Sequence, residues 1–285
     1  MIKYTFSGHD SFHCKDLWLK KGYDFVNAEK NFNDDDAVVD LGVGKNMVTA
    51  IRYWIKAFDV VDDSMKITEW ADRIFANNGY DPYIENIGTL WILHYKLLKT
   101  RLASIYHLTF FDFQKEYREF TSEQLLGFIK RNCSETDLLY PFNENTVKRD
   151  INVFLHNYVR PMNDGKSIED FSSLLIDLNL IYASSTENRR FRFGYNTKSY
   201  LAPEIALFII LDMFEEDKII DFHSLSNLFF SLCITSDELM QILEDIKEKY
   251  PEVIFSDDSG IKQIQLRAAF DKWELLHDYY NLTNN

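Results

Sequence analysis

Residues 40–54, DLGVGKNMVTAIRYW, place a glycine-rich turn directly before a helix-forming segment. Apolar residues continue from the turn at helical spacing: Met47, Val48, Ile51, Trp54, Ile55 and Phe58. The opposite side of the same helix carries Lys45, Thr49, Arg52 and Lys56. One side can therefore pack against a core while the other meets a polyanion, which is how a DNA-reading helix is built.

The turn at Gly42 and Gly44 is also a candidate anion site. Its backbone N–H groups and the positive end of the helix dipole would face the same way, which favours a phosphate. We therefore predict phosphate contacts from Lys45, Asn46 and Arg52. Neither Ser nor Thr follows Lys45, so the spacing of a Walker A loop is absent and a nucleotide switch is disfavoured. A glycine turn before an ordinary core helix is an equally good interpretation.

The composition indicates a globular protein of the cytoplasm. The 285 residues are 46% hydrophobic and 15% aromatic, which suffices for one large core or two to three small ones. No apolar run approaches the roughly 18 residues of a membrane span, and the first residues lack the apolar core of a signal peptide. The three cysteines are far apart and odd in number, which argues against a paired metal or disulfide framework. We expect a cytoplasmic protein without membrane partners.

The net charge of −14 is unevenly distributed along the chain. It argues against non-specific coating of nucleic acid, which depends on Lys and Arg. Basic residues are nevertheless concentrated at 148–149 and 189–192, while acidic residues are concentrated at 215–217 and 257–258. Because salt confines each exposed charge to about 8–10 Å, a local basic face is compatible with an acidic chain.

Three segments share one succession of predicted elements, although their residues are not similar enough to form a repeat. Each combines a helix, a second helix with a polar N-terminal cap, and β-prone residues around a turn. The helix pairs are 17–26 and 45–58, 122–130 and 147–158, and 225–232 and 237–249. The β-prone residues are 60–67, then 181–183 and 189–193, then 253–255 and 261–266. The predicted caps are Thr121 or Ser122, Asn145 or Thr146, and Thr235 or Ser236.

This succession predicts a mainly α-helical protein with small β wings, built of tandem winged-helix-like subdomains. No linker rich in Gly, Ser or Pro separates them, so they are expected to pack closely. The predicted domains are 1–118, winged-helix-like at the N-terminus with a helical extension, 119–200 in the centre, and 201–285, acidic, at the C-terminus. Because the helix at 237–249 is acidic, we expect it to contact protein and not DNA.

The central segment carries the strongest electrostatic signature of DNA binding. Its second helix has basic residues opposite its apolar side, and the strand at 189–193 alternates basic and aromatic residues. Basic side chains on a helix and a wing can meet the major groove and neighbouring phosphates. We predict duplex contacts from Lys148, Arg149, Arg190 and Arg192. A solvated, salt-bridged face is the alternative, because Asp150 sits among these residues.

The densest group of reactive side chains lies at residues 8–15, GHDSFHCK. On a helix, His9 and His13 would lie one turn apart beside Asp10, which could ligate a divalent metal for phosphodiester cleavage. Glu85 is a further possible ligand. We name His9, Asp10 and Glu85 as candidate catalytic residues, with Mg²⁺ or Mn²⁺ as the metal if the protein is a nuclease. A turn in which His9 and Asp10 bond the backbone is the alternative interpretation.

The stretch from 81 to 95 offers fewer candidates for chemistry. Asp81 precedes a proline and is expected to cap a turn or a helix. Trp91 and His94 lie three residues apart on a helix predicted at 87–99. We interpret both as core residues, His94 being a buried histidine whose ring is satisfied.

Four stretches of the sequence resemble a known bacterial family. They are 6–12 (FSGHDSF), 41–48 (LGVGKNMV), 80–85 (YDPYIE) with 89–91 (TLW), and 147–151 (VKRDI). Together they resemble a family described as a domain of unknown function, whose members accompany DNA phosphorothioation and phage-defence genes. The resemblance runs from residue 6 to about residue 266 and implies DNA handling. The best-described relatives are nicking subunits of single-stranded DNA phosphorothioation systems.

The resemblance implies a metal-dependent enzyme that nicks one DNA strand and so opens a backbone linkage to sulfur insertion. Its implied partners are a cysteine desulfurase, an ATPase and a sulfurtransferase, and a homodimer is possible. The alternative is a non-catalytic DNA-binding adaptor or regulator that recruits the sulfur-transfer enzymes. Carboxylates that lie close enough together to hold a metal ion beside a DNA phosphate would favour the nickase. Carboxylates scattered over the protein would favour the adaptor.

Overall fold

The computed structural model describes residues 3–133, 138, 141–160, 173–185, 189–195, 201–215, 217–258 and 261–283. The chain forms two compact units, Met1–Gly194 and Tyr195–Asn285. The three predicted domains divide the chain more finely and stay a prediction. The predicted turn before the basic strand falls largely on 186–188, outside the described residues. Among the helices that the structure describes, none is both long and apolar enough to span a bilayer.

The N-terminal unit is built mainly from helices. Helices α1 to α5 span Trp18–Asn27, Ala37–Leu41, Lys45–Ala57, Glu69–Phe75 and Ile87–Thr100. Helix α6 (Ser104–His107) is followed by a π-helix (Leu108–Phe113) and by α7 (Gln114–Glu116). Helices α8 and α9 span Ser122–Asn132 and Glu144–Tyr158, and a 3₁₀ helix covers Ile176–Leu178. The strands are β1 (Glu119–Phe120), β2 (Ile181–Ser185) and β3 (Arg190–Phe193).

The helix predicted after the glycine turn is α3, and it begins at Lys45 as expected. Gly42 ends α2 in the left-handed region at φ 63°, a conformation that glycine adopts without a Cβ clash. The predicted apolar side of α3 is buried, since Val48, Ile51 and Trp54 are at most 5% exposed. The spacing of apolar residues therefore located this helix and its inner side correctly.

A three-stranded antiparallel sheet accompanies α8 and α9. Its strand order is β1-β3-β2, with Ile181 opposite Phe193. The predicted basic strand is confirmed as β3, which pairs with β2. Where 60–67 predicted a wing after α3, the structure has a single antiparallel bridge between Val61 and Ile67.

The second helix of the central segment is longer than its apolar pattern indicates. Helix α9 begins at Glu144, because Asn143 Oδ1 accepts a hydrogen bond from the Thr146 N–H at 3.1 Å and caps the first turn. The predicted caps Asn145 and Thr146 are therefore wrong. Helix α8 begins as predicted, behind Thr121, which forms a capping box.

Aromatic rings form the centre of the N-terminal unit. Phe110, Phe154 and Tyr158 pack with ring centroids 5.1, 5.4 and 6.0 Å apart. His94 is fully buried beside them, and its Nδ1 lies 2.9 Å from the Tyr158 hydroxyl, which confirms its core role. The Asp81 carboxylate accepts hydrogen bonds from two backbone N–H groups just before α5, as expected of a cap.

The C-terminal unit has a similar succession of helices and strands. Helices α10 to α13 span Pro203–Phe214, Phe222–Ser231, Ser236–Lys249 and Lys272–Thr283. Strands β4 (Ile219–Asp221), β5 (Val253–Asp258) and β6 (Ile261–Leu266) form an antiparallel sheet in the order β4-β6-β5. Helix α12 begins behind Thr235, which forms a capping box. The predicted mainly α-helical architecture with small antiparallel sheets is confirmed in both units.

His107 makes the N-terminal unit sensitive to mild acid. Burial, aided by the positive charge of Arg101, lowers the pKa of His107 to about 4, and its Nδ1 lies 3.2 Å from the Leu98 carbonyl oxygen. The unfolded chain takes up this proton near pH 6.5, whereas the folded chain takes it up only near pH 4. The free energy of unfolding should therefore fall as the pH drops through this window.

Between pH 7 and pH 5 the free energy of unfolding should fall in the parent protein. In the variant His107→Asn we expect this fall to be smaller by roughly 1–2 kcal/mol. Asparagine keeps an N–H donor for the Leu98 carbonyl but takes up no proton. Urea denaturation of both proteins at the two pH values measures the difference. An equal loss in the two proteins would show that His107 does not carry this dependence.

Candidate nucleic-acid interface

The outward side of α3 carries three of the predicted phosphate-contacting residues. Lys45 and Asn46 are exposed at its first turn, which no described side chain caps. Arg52 is partly exposed and donates a hydrogen bond from Nη1 to Asn33 Oδ1 at 2.9 Å. Within the described ranges, the side chains of Lys45 and Asn46 make no hydrogen bond or ion pair. An anion could therefore be bound at this end of α3.

Helix α9 carries a second set of basic side chains. Lys148 Nζ donates to Glu144 Oε1 at 2.7 Å, and Lys130 Nζ contacts the same carboxylate at 3.4 Å. The hydrogen bond and charge of Lys148 lower the pKa of Glu144. Arg149 is exposed and forms no ion pair with the residues that the structure describes. Because exposed ion pairs add little stability, Lys148 can exchange Glu144 for a phosphate at small cost.

Strand β3 presents the remaining predicted contacts. Arg190 and Arg192 are exposed, whereas Phe193 is buried and Phe191 is partly buried, as the alternation predicts. Arg190 Nη1 lies 3.6 Å from Glu119 Oε1, a loose and exposed pair. Helix α9 packs against β2, which pairs with β3. Strand β2 therefore lies between the basic helix α9 and the basic strand β3.

The histidine-containing loop buries the His9 side chain against α9, while Ser7, Gly8, Asp10 and Ser11 stay exposed. His9 is 4% exposed, and its Nε2 lies 3.1 Å from Asp150 Oδ1. Its Nδ1 accepts a hydrogen bond from the Ser11 N–H at 3.2 Å, so the ring proton sits on Nε2 and is donated to Asp150. The second oxygen of Asp150 accepts the Ser7 N–H at 2.8 Å. Both ring nitrogens of His9 and both oxygens of Asp150 are thus engaged.

The same loop contacts α3 through aromatic rings. The His9 ring stacks on Trp54 at 5.8 Å between centroids and 11° between planes, and it meets Tyr53 edge-on at 5.6 Å. The Trp54 indole donates to the Phe12 carbonyl oxygen at 3.0 Å. Gly8 has φ 118°, and a Cβ there would lie 2.6 Å from the Tyr53 ring. Residues 7–12, hereafter the bridging loop, therefore connect α3 to α9.

This geometry bears on the candidate catalytic residues His9, Asp10 and Glu85. His9 is held by the backbone and by Asp150, as the turn interpretation expects, while Asp10 and Glu85 are exposed. Within the described part of the chain, no group of three or more His, Cys, Asp or Glu side chains is placed to hold a metal ion. Their catalytic role stays a prediction.

Asp150 has a role that the charge pattern does not reveal. Asp150 does not join the solvated, salt-bridged face of the alternative interpretation, because it is 4% exposed and bonds His9 and Ser7. That interpretation still applies to the exposed pairs Lys148–Glu144 and Arg190–Glu119. The spacing of Asp150 from the apolar residues of α9 does indicate that its side chain is buried. Asp150 lies three residues after Val147 and four before Phe154, both buried, so it falls on the inner side of α9.

An open cavity of about 500 Å³ borders the bridging loop and the first turn of α9. Four aromatic side chains line it: Tyr4, Phe6, Tyr53 and Phe142. Ser7, Gly8, Asn143, Thr146 and Val147 contribute to its wall. The cavity therefore lies between α3, which supplies Tyr53, and α9, which supplies Thr146 and Val147.

Comparisons with known proteins agree with this architecture. The family described as "Protein of unknown function (DUF4007)" matches residues 6–280. None of the curated proteins matches the chain. A crystal structure of magnesium-ion-bound SspB is similar with a TM-score of 0.85 and 25% identity, covering 97% of this chain and 88% of that one. A second SspB crystal structure has a TM-score of 0.84, 26% identity and the same coverage.

Proposed function

The chain belongs to the DUF4007 family. We propose that it is the DNA-binding component of a bacterial DNA phosphorothioation and phage-defence system. The likeness to SspB over nearly the whole chain supports this proposal. The observation that carries it is the exposed basic set on α9 and β3, comprising Lys148, Arg149, Arg190 and Arg192. These side chains can contact the phosphates of one duplex.

We infer that these basic residues belong to a winged helix. The order α8-α9-β2-β3, with sheet order β1-β3-β2, supports this assignment: α9 would be the DNA-reading helix and the β2-β3 hairpin its wing. The C-terminal unit has the equivalent order α11-α12-β5-β6. Its α12 carries Asp237, Glu238 and Glu244, so it would contact a protein partner, a cysteine desulfurase, an ATPase or a sulfurtransferase, or a second copy of this chain.

The proposed reaction is the nicking of one DNA strand. The magnesium ion bound in the related SspB structure supports a divalent metal. Within the described residues no three His, Cys, Asp or Glu side chains converge, and Asp150 is engaged by His9 and Ser7. Mg²⁺ is often held by one or two carboxylates together with substrate phosphates, so the nickase stays the proposal and a non-catalytic adaptor that recruits the sulfur-transfer enzymes stays the second candidate.

Removing the basic residues of α9 is expected to weaken duplex binding. The double substitution Lys148→Ala with Arg149→Ala should lower the affinity for duplex DNA about tenfold or more at moderate salt. It should also reduce the slope of log affinity against log salt concentration by about two, one for each lost phosphate contact. Fluorescence anisotropy with a labelled duplex measures both. Lys247→Ala is the matched control, because Lys247 forms a similar exposed pair with Glu244 on α12, at 2.9 Å. Equal loss in the control would refute the assignment to α9.

A plasmid assay separates the nickase from the adaptor. Supercoiled plasmid is incubated with the protein and Mg²⁺ or Mn²⁺, beside an EDTA control and the variants Asp10→Ala and Glu85→Ala. Both residues are exposed, so both variants should fold. Metal-dependent open circles that a folded variant fails to produce would support the nickase and locate its site. Plasmid retention without nicking would leave the adaptor.

A further inference from the structure

The cavity between α3 and α9 is walled by aromatic rings that the folded protein leaves partly accessible. Tyr4, Phe6, Tyr53 and Phe142 each keep an intermediate fraction of their surface exposed. Aromatic rings in this state gain stability when a flat, apolar group covers them. The cavity is therefore suited to a planar aromatic ligand.

Polar side chains lie among these rings. Ser7, Asn143 and Thr146 line the same cavity, and Asn143 uses its side-chain oxygen to cap α9. The Ser7 and Thr146 hydroxyls and the Asn143 amide nitrogen take no part in hydrogen bonds with the residues that the structure describes. These donors and acceptors can pair with the polar edge of a heterocycle. Apolar faces with a hydrogen-bonding edge are the recognition features of a nucleobase.

The position of the cavity connects it to the proposed DNA contacts. Thr146 and Val147 line it, and the exposed Lys148 and Arg149 follow directly in α9. The Lys148 ammonium reaches back to Glu144 in the first turn of α9, next to the cavity-lining Asn143, so a phosphate that replaces Glu144 there would lie near the cavity. The volume of about 500 Å³ falls within the usual range of small-molecule sites and is large enough for one base.

We propose that the cavity receives a single unpaired nucleobase of the DNA strand whose phosphates contact Lys148 and Arg149. This inference rests on the proposed DNA binding and specifies its substrate. Removing a base from a stacked duplex requires free energy, and it requires least where the base is already unpaired. The protein should therefore prefer a strand with a bulged nucleotide to a fully paired duplex of the same sequence.

The test compares a duplex that has one bulged 2-aminopurine with the matched paired duplex, using the full chain. We expect the bulged duplex to bind at least about fivefold more tightly, and the 2-aminopurine fluorescence to be quenched by stacking. Phe142→Ala should abolish this preference and leave the affinity for paired duplex unchanged. Phe142→Trp should keep the preference, because tryptophan restores a stacking surface. Tyr83→Ala, at an exposed tyrosine that does not line this cavity, is the control.

Each outcome decides one of the two proposals. Equal affinity of the parent protein for both duplexes, or an unchanged preference in a folded Phe142→Ala variant, would overturn the nucleobase site while DNA binding stands. Failure to bind either duplex would overturn the proposed function and this inference with it. If Phe142→Ala does not fold by circular dichroism, the decision passes to Phe142→Trp, whose loss of the preference would also overturn the site.

Discussion

Replacing Asp150 with alanine is expected to lower the free energy of unfolding by about 2–5 kcal/mol. The substitution removes the acceptor for the buried His9 Nε2–H and for the part-buried backbone N–H of Ser7. A hydrogen bond to a charged group contributes about 1.5–3 kcal/mol, and the Ser7 N–H, in an exposed residue, should add less than the His9 donor. Urea denaturation followed by circular dichroism gives the difference directly.

Two neighbouring substitutions make this result interpretable. Lys148→Ala changes an exposed residue of the same helix, so its effect should stay below about 1 kcal/mol. Asp150→Asn keeps one acceptor oxygen but turns an NH₂ group toward a donor, so its effect should lie between the two. A loss below about 1 kcal/mol for Asp150→Ala would show that the bridging loop does not depend on this carboxylate.

Replacing Gly8 with alanine should destabilise the protein by about 2–4 kcal/mol. At φ 118° an L-residue is strained by about 1–3 kcal/mol, and its Cβ would lie 2.6 Å from Tyr53 Cδ2, which adds an overpacking cost. The Tyr53 ring cannot retreat freely, because it packs edge-on against His9 and Trp54. Thermal and urea unfolding measure the loss.

Gly127→Ala is the matched control, and its effect should have the opposite sign. Gly127 is exposed within α8, and a Cβ there would meet no heavy atom within 4 Å. Alanine is favoured over glycine by roughly 0.5–1 kcal/mol inside a helix, so this variant should be more stable than the parent protein. Equal effects at both positions would mean that neither the backbone angle nor Tyr53 constrains residue 8.

The helices were predictable because their signals are local. The apolar spacing that predicts α3 and the capping boxes that begin α8 and α12 involve residues within four positions of one another. The start of α9 was harder to predict, because the apolar pattern begins at Val147 while the capping oxygen belongs to Asn143. Periodicity reports which side of a helix is buried and reports its first turn poorly.

The candidate site was predictable only where it faces solvent. Lys148, Arg149 and Arg192 are exposed, and basic residues clustered in the sequence are enough to predict a basic surface. The hydrogen bond between His9 and Asp150 could not be predicted, because the two residues are remote in sequence and no local pattern joins them. The aromatic cavity is hidden for the same reason, since its wall is assembled from segments far apart in the chain.

The bridging loop also orders events during synthesis. Ser7 and His9 bond a carboxylate 143 and 141 residues later, so these contacts cannot form until α9 has left the ribosome. Until then the His9 ring lacks its Asp150 partner, and the first helices form a partial core open to chaperones or aggregation. Contacts of such sequence separation are closed late and slow the folding reaction. A nascent chain interrupted before residue 150 should therefore be a substrate for degradation.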